Sequence, residues 1–221
     1  MDRIGLVFDF DGTMCRLFRN YDLNRTKAEL HDRMYQHGYD FPLDNDPFDV
    51  FQLIGNRTDL YTEQKTELFE EMNAVLVSAE LEAVQNCELV NGVTEMLPYF
   101  QAVGYQIGVA TNNSPECVSE FLDLYCGGLT IPIVGRVGSR PELMKPNGWS
   151  LIEVLKKMDC VVDNTLFFGD TQRDYECARN VGCRFIGVAP TEQKLKRLQH
   201  IKPEIEIVSD FFELNRKIPL G

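Results

Sequence analysis

The chain has 221 residues, with 34 Asp and Glu against 22 Lys and Arg, a formal net charge of −12. A chain this acidic lacks the basic face needed to wrap nucleic acid or lie on an anionic membrane, so neither partner is expected. Its 44% hydrophobic and 25% charged residues describe a globular protein long enough to bury a core without disulfides or a structural metal. A small anionic substrate stays open, since a site needs only a few local positive charges.

Met1-Asp2-Arg3 leads straight into Ile4-Gly5-Leu6-Val7-Phe8, a short apolar run that stops at Asp9. The run reads as a buried parallel strand, and it lacks the long apolar region and cleavage site of a signal peptide. From about Cys15 to Gln85 the pattern changes: no strand is expected and helix formers dominate. Leu68, Met72, Val75 and Ala79 repeat at intervals of 4, 3 and 4, the apolar face of a long helix, while Asp40 to Asp49 reads as loop. Residues 15–85 are therefore expected to form a helical insertion after the first strand. Alternation resumes beyond it, with strands over Gln106–Ala110, Thr165–Phe168 and Arg184–Ala189 and further ones near Ile131–Val134 and Glu206–Val208. Helical spacing fills the gaps (Val93, Met96, Leu97 and Phe100; Val118, Phe121, Leu122 and Tyr125), with Ser114-Pro115 as a start and Gly182 as a stop. The fold class is α/β, an open parallel sheet with an inserted helical segment. No run approaches eighteen consecutive apolar residues, so no membrane-spanning helix is expected.

Seven scattered cysteines form no C-x-x-C pair and only three histidines occur, so a zinc cluster is not expected. Free thiols in a reducing compartment are the reading, and the expected location is cytoplasmic. Cys15 and Trp149 read as packed side chains.

Chemistry concentrates at strand ends. Asp9-Phe10-Asp11-Gly12-Thr13 closes the first strand, where ligands of open α/β sheets bind. The two-residue spacing sends Asp9 and Asp11 to one side and Phe10 into the core. Gly12 permits close approach of a ligand to the backbone. Ala110-Thr111-Asn112-Asn113 closes a second strand, and Gly169-Asp170-Thr171-Gln172-Arg173-Asp174 a third; Lys145-Pro146 lies between them.

This ordered set resembles the haloacid dehalogenase superfamily, in its magnesium-dependent phosphatase branch with a helical cap, phosphoglycolate phosphatase-like. The resemblance implies a Rossmann-like core over residues 1–14 and 86–221 and a cap over residues 15–85. It also implies an Asp9 nucleophile forming an aspartyl-phosphate, and Asp11 as acid and then base. Mg²⁺ would sit on the Asp9 carboxylate, the Asp11 carbonyl and Asp170, with Asp174 binding a metal water or orienting Lys145. Gly12, Thr111, Asn112 and Lys145 would hold the phosphoryl oxygens, and Arg57, in the cap loop Gly55-Asn56-Arg57, would select substrate. The carboxylate at Asp11 favours a phosphoester over a dehalogenase or phosphonate reaction, whose leaving groups need no such proton. The expected activity is hydrolysis of a small phosphomonoester, with a phosphoglycolate-like substrate favoured. The alternatives are a β-phosphoglucomutase type of sugar phosphomutase and a catalytically silent binding protein. Oligomeric state is left open.

Overall fold

The structure, a computed structural model, describes residues 3–218; the outermost ends of the expected core segments, residues 1–2 and 219–221, lie outside these. Strand β1 (Gly5–Phe8) is followed by β2 (Cys15–Arg16), helices α1 (Leu23–Gln36), α2 (Asp49–Gly55) and α3 (Thr62–Val84), and a returning strand β3 (Glu88–Leu89). Helices and strands then alternate as α4 (Val93–Ala102), β4 (Gln106–Ala110), α5 (Pro115–Tyr125), β5 (Ile133–Val134) and α6 (Trp149–Met158). The chain closes with β6 (Thr165–Gly169), α7 (Gln172–Val181), β7 (Arg184–Val188), α8 (Glu192–Ile201), β8 (Ile207–Val208) and α9 (Phe211–Lys217).

Six strands form one parallel sheet in the order β5-β4-β1-β6-β7-β8. All four residues of β1 are buried, as a strand covered on both faces requires. Leu6 and Phe8 join the apolar layer of α4, α5 and α9, where Phe8 stacks on Phe168 and Phe211. Val7 points the other way, into the layer of Leu151, Val154 and Cys177 under α6 and α7. Strand β1 lies between β4 and β6, and the chain builds outward first on the β4 side and then on the β6 side. The carboxyl ends of these three strands therefore meet at a topological switch point.

Helices α1, α2 and α3 bury an apolar cluster of their own, including Leu30, Met34, Val50, Ile54, Leu68 and Met72. The expectation of no strand between Cys15 and Gln85 is corrected at its first residues. Arg16 pairs with Glu88 and Cys15 with Leu89 in an antiparallel two-residue ladder, closed by an Arg16–Glu88 ion pair at 2.7 Å. Two residues are too few to display a strand period. The expected Asp40–Asp49 loop ends one residue early, because Asp49 begins α2. Ser114 caps α5 through the Cys117 amide, and Gly182 ends α7 with a φ of 81°. Among the described residues no helix is long and apolar enough to cross a membrane.

Candidate active site

Asp9 directly follows β1 and is 6% exposed, its amide extending the sheet by donating to the Phe168 carbonyl at 2.8 Å. Beyond it the chain doubles back: the Gly12 amide donates to the Cys15 carbonyl, and the Leu17 amide donates to Asp11 Oδ1 at 2.8 Å. Gly12 has a φ of 98°, which only glycine adopts without strain. A β-carbon there would also overlap Lys194 Nζ and the Asp170 carboxylate.

Lys145 is the hub. Its ammonium donates to Asp9 Oδ1 and Asp174 Oδ1, each at 2.5 Å, and to the Ala110 carbonyl at 3.1 Å, using all three N–H groups. Asn112 clamps its main chain in both directions: Asn112 Oδ1 accepts from the Lys145 amide at 2.7 Å, and Asn112 Nδ2 donates to the Lys145 carbonyl at 3.2 Å. Asp174 serves two duties, since its Oδ2 also accepts from the Thr171 amide and hydroxyl in the capping box that starts α7. The Thr111 hydroxyl donates to Asn113 Oδ1 at 3.1 Å and accepts from the Asn113 amide. Thr111 thus braces its own loop, while Asn112 and Asn113 line a chamber of about 150 Å³ together with Asp9, Asp11, Lys145 and Asp174.

Burial dominates the electrostatics. It pushes Asp11 up to about 6 and Asp170 to about 8, and it raises Asp9, where the nearby Asp174 charge adds to it. Burial opposes the charge on Lys145, but Asp174 and Asp9 outweigh it and hold the ammonium protonated. Carboxylate oxygens of Asp9, Asp170 and Asp174 lie within 4.8 Å of one another, all three residues buried. Asp170 Oδ1 has no hydrogen-bond partner, a costly state for a buried carboxylate oxygen. When all are ionised, Asp9, Asp11, Asp170 and Asp174 outnumber the ammonium groups of Lys145 and Lys194 by two, and burial disfavours that excess of charge unless a cation joins them. An all-oxygen donor set with an orphaned oxygen and that residual charge fits one hard divalent cation.

Some contributors were not anticipated. Only Ala189, Pro190 and Thr191 separate β7 from α8, so the first turn of α8 lies over the sheet end and Lys194 reaches Asp170 Oδ2. Glu80 of α3 and Arg136, two residues beyond β5, form a fully buried ion pair behind the Asn112 loop. Arg136 also donates to the Asn112 carbonyl at 2.8 Å and to Asn73 Oδ1 at 2.7 Å. Glu80 in turn accepts from Asn113 Nδ2 and the Ser114 amide.

Arg57 is not brought into the group. Its guanidinium makes a bidentate pair with Asp59 at 2.8 and 2.7 Å and lies 4.2 Å from the Tyr39 ring centroid. Cys15 is fully buried, and burial raises its thiol well above its ordinary value, which leaves it unreactive.

No curated protein matches the chain. Among solved structures, a predicted phosphatase from Clostridium acetobutylicum is similar over 98% of both chains, at 15% identity and a TM-score of 0.67. A predicted phosphoglycolate phosphatase from Haemophilus somnus covers 98% of both chains at 20% identity and a TM-score of 0.63. CbbY from Rhodobacter sphaeroides, in complex with phosphate, covers 96% of both at 15% identity and a TM-score of 0.65. At these identities the likeness speaks for the fold. The haloacid dehalogenase-like hydrolase family matches residues 6–188, from within β1 to the end of β7 and across the ends of β1, β4 and β6. With that match spanning most of its length, the chain belongs to the haloacid dehalogenase-like hydrolases.

Proposed function

We propose that the chain is a Mg²⁺-dependent phosphatase that hydrolyses a small phosphomonoester through an aspartyl-phosphate on Asp9. The observation that carries this reading is the Asp9 carboxylate, buried at the end of β1 and held by the Lys145 ammonium at 2.5 Å. Lys145 holds Oδ1, and the Thr13 hydroxyl lies 3.4 Å from Oδ2, so Oδ2, the oxygen without a charged partner among the described residues, is the one for attack on phosphorus. Asp11, with its pKa pushed up by burial to about 6, carries a proton often enough near neutrality to give it to the leaving oxygen. The resulting Asp11 carboxylate then takes a proton from the water that releases phosphate. Lys145 stabilises negative charge on the phosphoryl oxygens. Asn112 offers its backbone amide to the same oxygens, Gly12 lets them approach the main chain closely, and Thr111 braces the loop. Asp174 orients Lys145.

Mg²⁺, held by Asp9, Asp170 and the Asp11 carbonyl, would offset the repulsion between a phosphate dianion and the attacking carboxylate. The orphaned oxygen of Asp170 supports this ligand set. Phosphate bound in CbbY and the phosphatase descriptions of the other two neighbours support the substrate class. The apolar cluster within residues 15–85 supports their reading as a cap over a core of residues 1–14 and 86–221. Its seven free cysteines favour a reducing, cytoplasmic setting.

Purified protein should release phosphate from p-nitrophenyl phosphate with Mg²⁺ and stop on addition of EDTA. Turnover that EDTA leaves intact would sink the metal-dependent mechanism. Isomerisation of a sugar phosphate without phosphate release would replace hydrolysis by phosphomutase activity, and no turnover of any ester would leave a silent binding protein.

A further inference from the structure

Beside the 150 Å³ chamber lies a larger cavity of about 700 Å³. The two share Phe48, Asn112, Lys145 and Arg173, so a phosphoryl group in the first directs its leaving group into the second. A two-carbon acid would leave most of this space to water, since pockets of roughly 300–1,000 Å³ suit ligands of drug size.

The lining narrows the chemistry. Phe48, Phe51, Phe69 and Met144 supply an apolar wall. Each charged side chain on the rest of the wall is already engaged: Lys65 donates to the Gly55 carbonyl at 2.9 Å, Arg173 lies 3.9 Å from Asp49, and Glu142 pairs with Arg140. Gln52 and Asn56 stand four residues apart at the end of α2 and both line the cavity, a spacing that sets two amides on one helical face. Each amide both donates and accepts, which suits the polar edge of a heterocycle whose faces rest on aromatic and thioether side chains.

Resting on the phosphatase reading, we propose that the substrate is a nucleoside 5′-monophosphate, its base held between the Phe48–Phe51–Phe69–Met144 wall and the Gln52 and Asn56 amides. The reaction consumes one water and yields a nucleoside and inorganic phosphate. The P–O5′ bond breaks as Asp9 Oδ2 bonds to phosphorus, and O5′ leaves with the proton from Asp11. Water then displaces Asp9 from phosphorus and returns a proton to Asp11.

The test is a comparison of kcat/KM on the full chain with Mg²⁺ for AMP, GMP, CMP, UMP, 2-phosphoglycolate, glucose 6-phosphate and p-nitrophenyl phosphate. At least one nucleotide should exceed both phosphoglycolate and glucose 6-phosphate by about tenfold or more, a margin equal to one well-made recognition contact. The double variant Gln52→Ala/Asn56→Ala should raise KM for that nucleotide at least fivefold, with circular dichroism unchanged. Hydrolysis of p-nitrophenyl phosphate with phosphoglycolate or the sugar phosphate preferred overturns the substrate class alone, as does a nucleotide KM that the double variant leaves in place. Failure to hydrolyse p-nitrophenyl phosphate overturns the phosphatase reading and this one with it.

Discussion

Glu80 and Arg136 meet through two hydrogen bonds, at 2.9 and 3.1 Å, with neither side chain exposed to solvent. One comes from the long helix of the insertion and the other from the loop after β5, and between them they hold the main chain of Asn112 and Ser114. Asn112 in turn clamps Lys145, and Lys145 holds Asp9. A buried ion pair thus links the insertion to the proposed nucleophile through an unbroken series of hydrogen bonds.

Removing one partner strands the other charge in the interior. Arg136→Met should destabilise the protein by about 3–5 kcal/mol, read from the urea midpoint. Glu80→Met should cost a similar amount. The double variant should lose less than the sum of the two, giving a coupling above about 2 kcal/mol in the thermodynamic cycle. A coupling near zero would show that the two charges do not depend on each other.

Asp9→Asn retains the shape of the side chain and removes its nucleophilic charge. Activity should drop by roughly 10³-fold or more while circular dichroism stays that of the parent. Mass spectrometry of the purified variant guards against deamidation, and substantial turnover by verified protein would remove Asp9 from its role.

Asp11 titrates at about 6 in the folded chain because burial disfavours its charge, against an ordinary value of 3.8. Between those values the native state binds more protons than the unfolded one, so this group's contribution to stability falls as pH rises. Asp11→Asn keeps an acceptor for the Leu17 amide and removes that penalty. In EDTA at pH 7.5 it should be more stable by about 1 kcal/mol, or about 3 °C in Tm, with the gap closing toward pH 4. The same variant should lose more activity on an alkyl phosphate than on p-nitrophenyl phosphate, whose leaving group needs little help from an acid.

Lys194 shares the carboxylate of Asp170 with any metal that binds there. Replacing it by Met removes a competing cation and should tighten Mg²⁺ binding about fivefold by calorimetry, part of the value of a charge-assisted hydrogen bond. Unchanged or weaker binding would show that Lys194 does not compete for that oxygen.

Arg57→Ala should change kcat/KM less than about twofold for every ester assayed, because a half-exposed pair with Asp59 contributes little and no cavity contact is lost. A reordered substrate ranking would return Arg57 to the specificity role that its sequence position suggests.

The sheet and the strand-end motifs were legible because their signals are local. A buried parallel strand is an apolar run, and Asp9-Phe10-Asp11-Gly12-Thr13 places its chemistry within five residues. Glu80 was hidden for the opposite reason. Acidic residues on amphipathic helices usually face water, and its partner Arg136 lies 56 positions away in a loop without a pattern. The available clue was its register: Leu76, Glu80 and Val84 fall on one buried stripe of α3. Lys194 depended on the length of a connection. A three-residue link between β7 and α8 brings the helix start to the sheet end, and Thr191, which caps the Lys194 amide, was the readable sign. Arg57 followed from the resemblance of Gly55-Asn56-Arg57 to a cap loop, but it lies just past the end of α2, where Asp59 two residues on captures it.

The pairing of Cys15–Arg16 with Glu88–Leu89 bears on how such a chain can be re-engineered. The chain leaves toward α1 and returns from α3 side by side at this ladder, so on the proposed division into core and cap the two are joined through two adjacent peptide crossings. Joining chains at such a point costs little closure entropy whatever the length of the guest. Helical modules of other sizes should therefore be transplantable only if they keep Leu17 and the last turn of α3, whose Ala83 and Val84 pack in the sheet's own apolar layer, and supply an acid to meet Arg136.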